Sequence, residues 1–195
     1  KWAFSGDFTI EAWLYPFNTT ASDFLSTWVS GTASSSCFIC SINSVTGKTR
    51  FSYGVGATNT NVDSTSTGVV PNAWNHIAFT RSGTTLTFWI NGVSSGTATV
   101  SGTLNTSTNP LQVGAGYTTA QAPANYFNGY ISDVRITPGT ALYTTTFTPP
   151  TAPLTTSSSP SLLMNFANAG VVDAHSTSVI TTVGTAQLST SVYKY

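Results

Sequence analysis

Residues 74–92 read Trp74-Asn75-His76-Ile77-Ala78-Phe79-Thr80-Arg81, then Ser82-Gly83-Thr84, then Thr85-Leu86-Thr87-Phe88-Trp89-Ile90-Asn91-Gly92. Two runs rich in β-branched and aromatic residues flank a short polar link, which is the pattern of a β-hairpin. Strand side chains alternate between faces. Ile77 and Phe79 therefore point one way and His76, Ala78 and Thr80 the other. On the second run, Leu86, Phe88 and Ile90 share a face opposite Thr87, Trp89 and Asn91. Asn91-Gly92 tolerates positive φ and turns the chain again at once. Such a meander has one apolar face, and that face needs a second sheet to cover it.

Working outward, Phe8 to Tyr15 alternates cleanly and stops at Pro16, as a strand does. Phe24 to Val29, Cys37 to Ile42 and Arg50 to Val55 are further strands. Thr97 to Val100, Leu111 to Val113 and Tyr130 to Ile136 follow. Polar tracts from Ala57 to Gly68 and from Ala115 to Asn125 read as loops, and Gly139 to Tyr143 as at most one helical turn. The expectation is an all-β, antiparallel two-sheet sandwich. From Phe147 to Pro160 the chain is rich in Pro, Ser and Thr, a composition that favours extended linkers. Strand-like runs resume at Leu162–Phe166 and at Ser178–Leu188.

The 195 residues are 40% apolar and 12% aromatic, enough for one large sandwich with a substantial core. Only 6% are charged and the formal net charge is zero, against roughly a quarter charged in ordinary domains. The solvent face is therefore built from Ser, Thr, Asn and Gly. Such a surface hydrogen-bonds well and repels itself little, which suits packing in an assembly or contact with glycans. Six basic residues in a neutral chain leave no electrostatic footprint for nucleic acid. No apolar run approaches the ~20 residues that span a bilayer, so membrane insertion is not expected. The chain starts at Lys1 without a Met, and is expected to be an internal piece of a longer polypeptide.

Three ordered segments carry a family resemblance: Phe4 to Pro16 (FSGDFTIEAWLYP), Trp74 to Val93 (WNHIAFTRSGTTLTFWINGV) and Phe127 to Pro150 (FNGYISDVRITPGTALYTTTFTPP). Together they resemble the laminin G-like, concanavalin A-like jelly-roll modules. The last segment, with LLMNFANAG after it, is most similar to modules of bacteriophage tail and appendage proteins. The resemblance implies a jelly roll over 1–148, a linker over 149–160 and a strand-bearing tail over 161–195. In such modules a segment like this tail precedes the strand that contains FTIEAW. The tail is thus expected to complete a neighbouring module or to start the next one.

Some relatives of the fold are glycoside hydrolases, which need two carboxylates about 5–5.5 Å or about 6.5–9.5 Å apart. This chain has one glutamate, Glu11, with Asp7 nearby. A solvent-facing or capping role is expected for both, and no catalytic residue is assigned. His76 stands where the resembled modules commonly have histidine, and reads as a sheet histidine hydrogen-bonded to a neighbour. Cys37 and Cys40 form a lone Cys-x-x-Cys and read as reduced, partly buried small hydrophobes. His175 lies in a polar turn and completes no metal motif.

Asn59, Asn61 and Asp63 place oxygen side chains at alternate positions, a calcium-like spacing. No downstream Glu completes it, and Asx-turn chemistry explains the same residues equally well; no other cofactor is expected. Tyr117, Gln121, Asn125 and Tyr126 supply an aromatic platform and amide groups of the kind sugars favour. These residues make up the expected ligand surface. The function expected is a non-catalytic structural or adhesion module of a virion appendage or extracellular assembly. Its expected partners are surface glycans and other copies or neighbouring modules. The alternatives are a fibre-forming adhesin module with a purely structural role and an inactive relative of the hydrolases.

Overall fold

The computed structural model describes residues 4–28, 37–43, 47–117, 122–155 and 162–165, with Asp173, Thr182, Ser189 and Lys194. Its strands are β1 (Phe8–Pro16), β2 (Ser22–Ser26), β3 (Phe38–Asn43), β4 (Lys48–Val55) and β5 (Thr58–Asp63), then β6 (Asn75–Ser82), β7 (Thr85–Ile90) and β8 (Val93–Thr99). Short strands β9 (Gln112–Val113), β10 (Gly116–Tyr117) and β11 (Pro123–Ala124) precede β12 (Gly129–Pro138) and β13 (Leu162–Met164). They form a six-stranded sheet in the order β13-β12-β1-β6-β7-β8 and a five-stranded sheet in the order β5-β4-β3-β2-β9. A small β10-β11 pair stands apart. The named strand pairs are antiparallel throughout. The expected jelly-roll sandwich is the observed one.

The central meander forms as its turn residues dictate. Ser82 pairs with Thr85, so a two-residue loop joins β6 to β7, with Gly83 at φ 60°. Asn91 and Gly92 sit at φ 51° and 78° between paired Ile90 and Val93. Positive φ at both central residues is the two-residue turn that matches strand twist. Gly92 is also a close approach: a Cβ there would lie 1.9 Å from the Phe147 carbonyl oxygen.

Between the sheets lies one core. Phe8, Ile10, Ala12 and Leu14 of β1 meet Ile77, Phe79, Leu86, Phe88 and Ile90 of the meander. Phe24, Leu25, Phe38, Cys40, Ile42, Phe51 and Tyr53 close it from the other side. Phe79 is the hinge of the aromatic packing. It lies 5.5 Å from Phe88 within its own sheet, and 5.4 Å from Phe51 and 6.3 Å from Phe24 across the core.

Several expectations change. The polar tract from Ala57 to Gly68 is not all loop: Thr58–Asp63 pairs with β4 through Val55↔Thr58 to Arg50↔Asp63. Gly56 at φ 59° makes that turn. An edge strand needs few apolar residues, so its composition hid it. Gly139–Tyr143 forms no helical turn; with the residues that follow, it lies extended across the outer face of the six-stranded sheet. Thr9 Oγ1 donates to the Thr140 carbonyl at 2.8 Å and accepts from Leu142 N–H at 2.8 Å. The start of the supposed linker is docked as well. Leu154 is buried, and its N–H donates to Asp133 Oδ1 at 2.8 Å.

The tail was expected to serve a neighbouring module. Its described strand instead pairs with β12 of the same chain, through Val134↔Met164, Arg135↔Leu163 and Ile136↔Leu162. Asp173 accepts from Leu163 N–H at 3.1 Å, and Lys194 Nζ lies 3.6 Å from the centre of the Trp13 ring. The run Ser178–Leu188, apart from Thr182, and His175 lie outside the described residues.

The hairpin is thus buried on both faces near its His76–Trp89 end. Phe79→Ala should cost about 3–5 kcal/mol, and Trp89→Ala on the outer face a comparable amount. Half-buried Thr87→Ala should cost well under half of either. Urea unfolding of the three variants tests this, and a cheap Trp89→Ala would mean that the outer cover contributes little.

Candidate functional site

Two of the buried carboxylates, Glu11 and Asp23, stand on opposite outer faces of the sandwich, and their surroundings differ. Glu11 projects from β1 onto the outer face of the six-stranded sheet, where strand alternation places it with Trp13 and away from the core. Its neighbours across the ladder are Ala78 of β6 and Arg135 of β12. Arg135 donates Nε–H to Oε1 at 2.7 Å, with Nη2 2.6 Å from the same oxygen. Oε2 receives His76 Nε2 at 3.0 Å and the Tyr143 hydroxyl at 2.8 Å. The side chains of Glu11 and His76 are fully buried. Phe147 stacks on Tyr143 with 3.7 Å between ring centres and sits edge-on to His76 at 5.6 Å.

Burial alone would raise the Glu11 carboxyl. The His76 hydrogen bond and the charges of Arg135 and His76 outweigh it, and leave the carboxyl below its ordinary value. Burial pushes the Tyr143 hydroxyl well up, so it stays a donor. The expected solvent-facing role of Glu11 is therefore corrected. The sequence hid this because the burying residues are some 130 positions away. Asp7 keeps its turn role: Oδ1 accepts from Gly83 N–H at 2.7 Å. His76 is the hydrogen-bonded sheet histidine expected.

The second carboxylate, Asp23, lies on β2 of the five-stranded sheet, and sequence reasoning missed it. The strand register runs Asp23↔Ser41↔Arg50↔Asp63 from β2 to β5. Residues in register share a face, so these four form a polar row across the outer side of the sheet. Asp23 and Ser41 are buried floor residues, while Arg50 and Asp63 are about one-third exposed.

The 110–127 region closes the Asp23 end of the row. Asp23 N–H donates to Asn125 O at 2.9 Å, and Asn125 Nδ2 donates to Asp23 Oδ2 at 3.2 Å. Asn125 sits at φ 51°, and Tyr126, bridged to Asp23, is 66% exposed. Gly116 packs so closely that a Cβ there would lie 2.1 Å from Asp23 Oδ2. Burial raises the Asp23 carboxyl to about 6, against a smaller lowering by the Asn125 hydrogen bond.

Of the expected ligand residues, Asn125 and Tyr126 meet Asp23 through a hydrogen bond and a backbone bridge, and Tyr117 follows Gly116, which packs on Asp23. The Tyr117 hydroxyl accepts from Gln112 Nε2 at 2.6 Å and donates to Pro110 O at 3.2 Å, so it is tied into the rim. Gln121 lies outside the described residues. Asn59, Asn61 and Asp63 share the outer face of edge strand β5, at the far end of the row. They do not fit a calcium ion. The two oxygens of Asp63 are held by Arg50 at 2.7 and 3.0 Å and by Asn43 at 2.9 Å, and the guanidinium repels a cation. Among the described residues no cluster of three or more His, Cys, Asp or Glu could hold a metal. Cys37 and Cys40 are free and buried, and burial raises both thiols, so neither is a poised nucleophile.

The family model described as the concanavalin A-like lectin/glucanases superfamily matches residues 1–142. The chain belongs to that superfamily. Two solved structures are similar to this superfamily member. One is a Bacteroides ovatus protein provisionally titled carbohydrate binding, at 16% identity and TM-score 0.56, covering 84% of this chain and 46% of that one. The other is domains LG4-5 of the mouse laminin α1 chain, at 17% identity and TM-score 0.53, covering 69% and 36%. At these identities the likeness concerns the fold. The chain spans less than half the length of either. Comparison with curated proteins gave no match.

The two carboxylates should titrate with opposite signs. Glu11 has a folded pKa below its unfolded value, so its contribution is present above the ordinary glutamate pKa and is lost as pH falls through the folded one. Glu11→Gln leaves Arg135 buried without its counter-charge and should cost about 3–5 kcal/mol at neutral pH. Asp23 is the reverse: its stabilising contribution is complete below the unfolded pKa of 3.8 and is lost as pH rises to about 6. Asp23→Asn should therefore be more stable than the parent at pH 7, by up to about 3 kcal/mol, with the gap closing toward pH 4. Thermal melts across pH 2–8 test both signs, and an Asp23→Asn protein that is less stable at pH 7 would refute the second.

Proposed function

We propose that this chain is a non-catalytic glycan-binding or adhesion module of a larger extracellular assembly. Its ligand surface is the outer face of the five-stranded sheet. One observation carries the reading: Tyr126, 66% exposed, is bridged through its backbone to buried Asp23 at the end of a polar row that crosses the sheet. A flat aromatic face takes the apolar side of a sugar ring, and nearby polar groups take its hydroxyls. The superfamily's name includes lectins, and the Bacteroides ovatus relative of the fold carries a carbohydrate-binding title. Both support the reading.

Hydrolysis fits less well. Glu11 is sealed, with both oxygens taken. Asp23 and Asp63 are three strand spacings apart, roughly 14 Å, well beyond the roughly 9.5 Å upper limit for paired carboxylate chemistry. The wording of residues 127–150 and 162–170 supports placing the module on a virion appendage, at the virion surface. There, copies or neighbouring modules would be its assembly partners.

A second reading, a purely structural module, is favoured by a different observation. Tyr15, Phe17, Trp74 and Tyr130 form one aromatic group with ring centres 5.2–6.3 Å apart, and Phe17 is 43% exposed. Such a patch packs against another module.

A glycan array probed with the purified chain separates the two. Binding that Tyr126→Ala weakens roughly tenfold or more, a loss of ~1.4 kcal/mol, supports the first. A chain that holds no glycan and assembles through Phe17 supports the second. Sugar release that disappears in Glu11→Gln would restore an enzymatic reading.

A further inference from the structure

Asp23 is a side chain that the fold keeps buried without satisfying. It is 8% exposed, and Oδ2 takes one hydrogen bond, from Asn125. Oδ1 has no hydrogen-bond partner among the described residues. Among the described residues the fully enclosed polar atoms left unpaired are Trp13 Nε1, Thr49 Oγ1, His76 Nδ1 and Arg81 Nη1, and Oδ1 is not one of them. One carboxylate oxygen is thus unpaired and not fully enclosed, at the bottom of the row. The nearest cation along the row is Arg50, which is committed to Asp63. Burying a carboxylate with its acceptor capacity half used is costly, and such groups concentrate at functional sites.

The surroundings are built for close approach. Asp23 is fixed through its backbone to Asn125 and through its side chain to the Asn125 amide. Residue 116 has no Cβ, which would overlap Oδ2. Exposed Tyr126 is bridged to Asp23 through the backbone.

Resting on the glycan-binding reading above, we propose that Asp23 is its specificity-determining residue. Its free oxygen accepts hydroxyl hydrogens from an uncharged sugar stacked on Tyr126, so the module takes neutral glycans and rejects acidic ones. An ionised carboxylate only accepts hydrogen bonds. Sugar hydroxyls are donors and form the stronger, charge-assisted kind with it. A uronic or sialic carboxylate brings a second negative charge to a partly desolvated one, and no free cation in the row offsets the repulsion.

The test uses the whole chain on an array that pairs neutral oligosaccharides with sialylated and uronic counterparts, plus amino-sugar oligomers as cationic probes. The best neutral oligosaccharide is then titrated calorimetrically. The expected result is binding to neutral and amino-sugar probes and none to acidic ones, weakened about tenfold or more in Asp23→Asn, whose melting temperature is no lower than the parent's. Gly116→Ala, which displaces the carboxylate, should weaken binding alongside it. Unchanged affinity in Asp23→Asn, with binding lost in Tyr126→Ala, would overturn this assignment and leave the glycan reading standing. Preference for acidic probes over neutral and amino-sugar ones would overturn it as well. Absence of binding to every probe would remove both.

Discussion

One buried carboxylate constrains the six-stranded sheet. Glu11 takes hydrogen bonds from β6 through His76, from β12 through Arg135 and from the covering segment through Tyr143. A charge in that position is tolerable only when every donor arrives together. A one-residue slip of β1 against either neighbour would turn Glu11 into the apolar core, so the ion cluster and the core select the same register. The covering segment follows from the same requirement. It excludes water from the cluster, and it is held down by Thr9, Thr80 and Asp133, which bond the backbone at Thr140, Leu142, Tyr143 and Leu154.

The other sheet treats its carboxylate differently. Asp23 has neither a cation nor a full set of donors, and burial pushes it up where the ion cluster holds Glu11 down. The contrast separates structure from function. A fully satisfied buried charge gives nothing to a ligand, whereas a half-satisfied one keeps acceptor capacity at a cost in stability. Tyr126 fits the same logic: a residue 66% exposed contributes little to the core, and its backbone bridges Asp23.

The fold was legible where local chemistry governs it. The alternation of Phe8–Tyr15 and of the meander assigned the core face residue by residue, and Asn91-Gly92 announced its turn. The Ser/Thr/Asn tract at Thr58–Asp63 did not read as a strand, because an edge strand facing solvent carries no apolar signature. Non-local pairing was illegible. Arg135 and Tyr143 lie more than a hundred residues from Glu11, so no spacing rule could join them. For the same reason the tail was placed on a neighbour when Leu162–Met164 had a partner in its own β12. Tyr117, Asn125 and Tyr126 were named by residue type alone. Asp23 was missed because one aspartate after a Ser looks like any turn residue until the register sets it opposite Ser41 and against Gly116.

The superfamily match ends at Leu142, one residue before the side chain that completes the Glu11 cluster. Tyr143, Phe147, Leu154 and β13 all lie beyond it, and together they cover one outer face with the chain's own segment. That cover decides where a ligand can approach. The outer side of the six-stranded sheet is blocked around His76 by rings stacked at 3.7 Å, so a broad ligand cannot lie along it there. The polar row on the opposite sheet is bounded by an exposed edge strand at one end and by Tyr126 at the other. In a chain with 6% charged residues and no net charge, long-range steering contributes little to recognition. On the function proposed above, affinity on that row would come from short-range contacts, the aromatic face of Tyr126 and the acceptors near it.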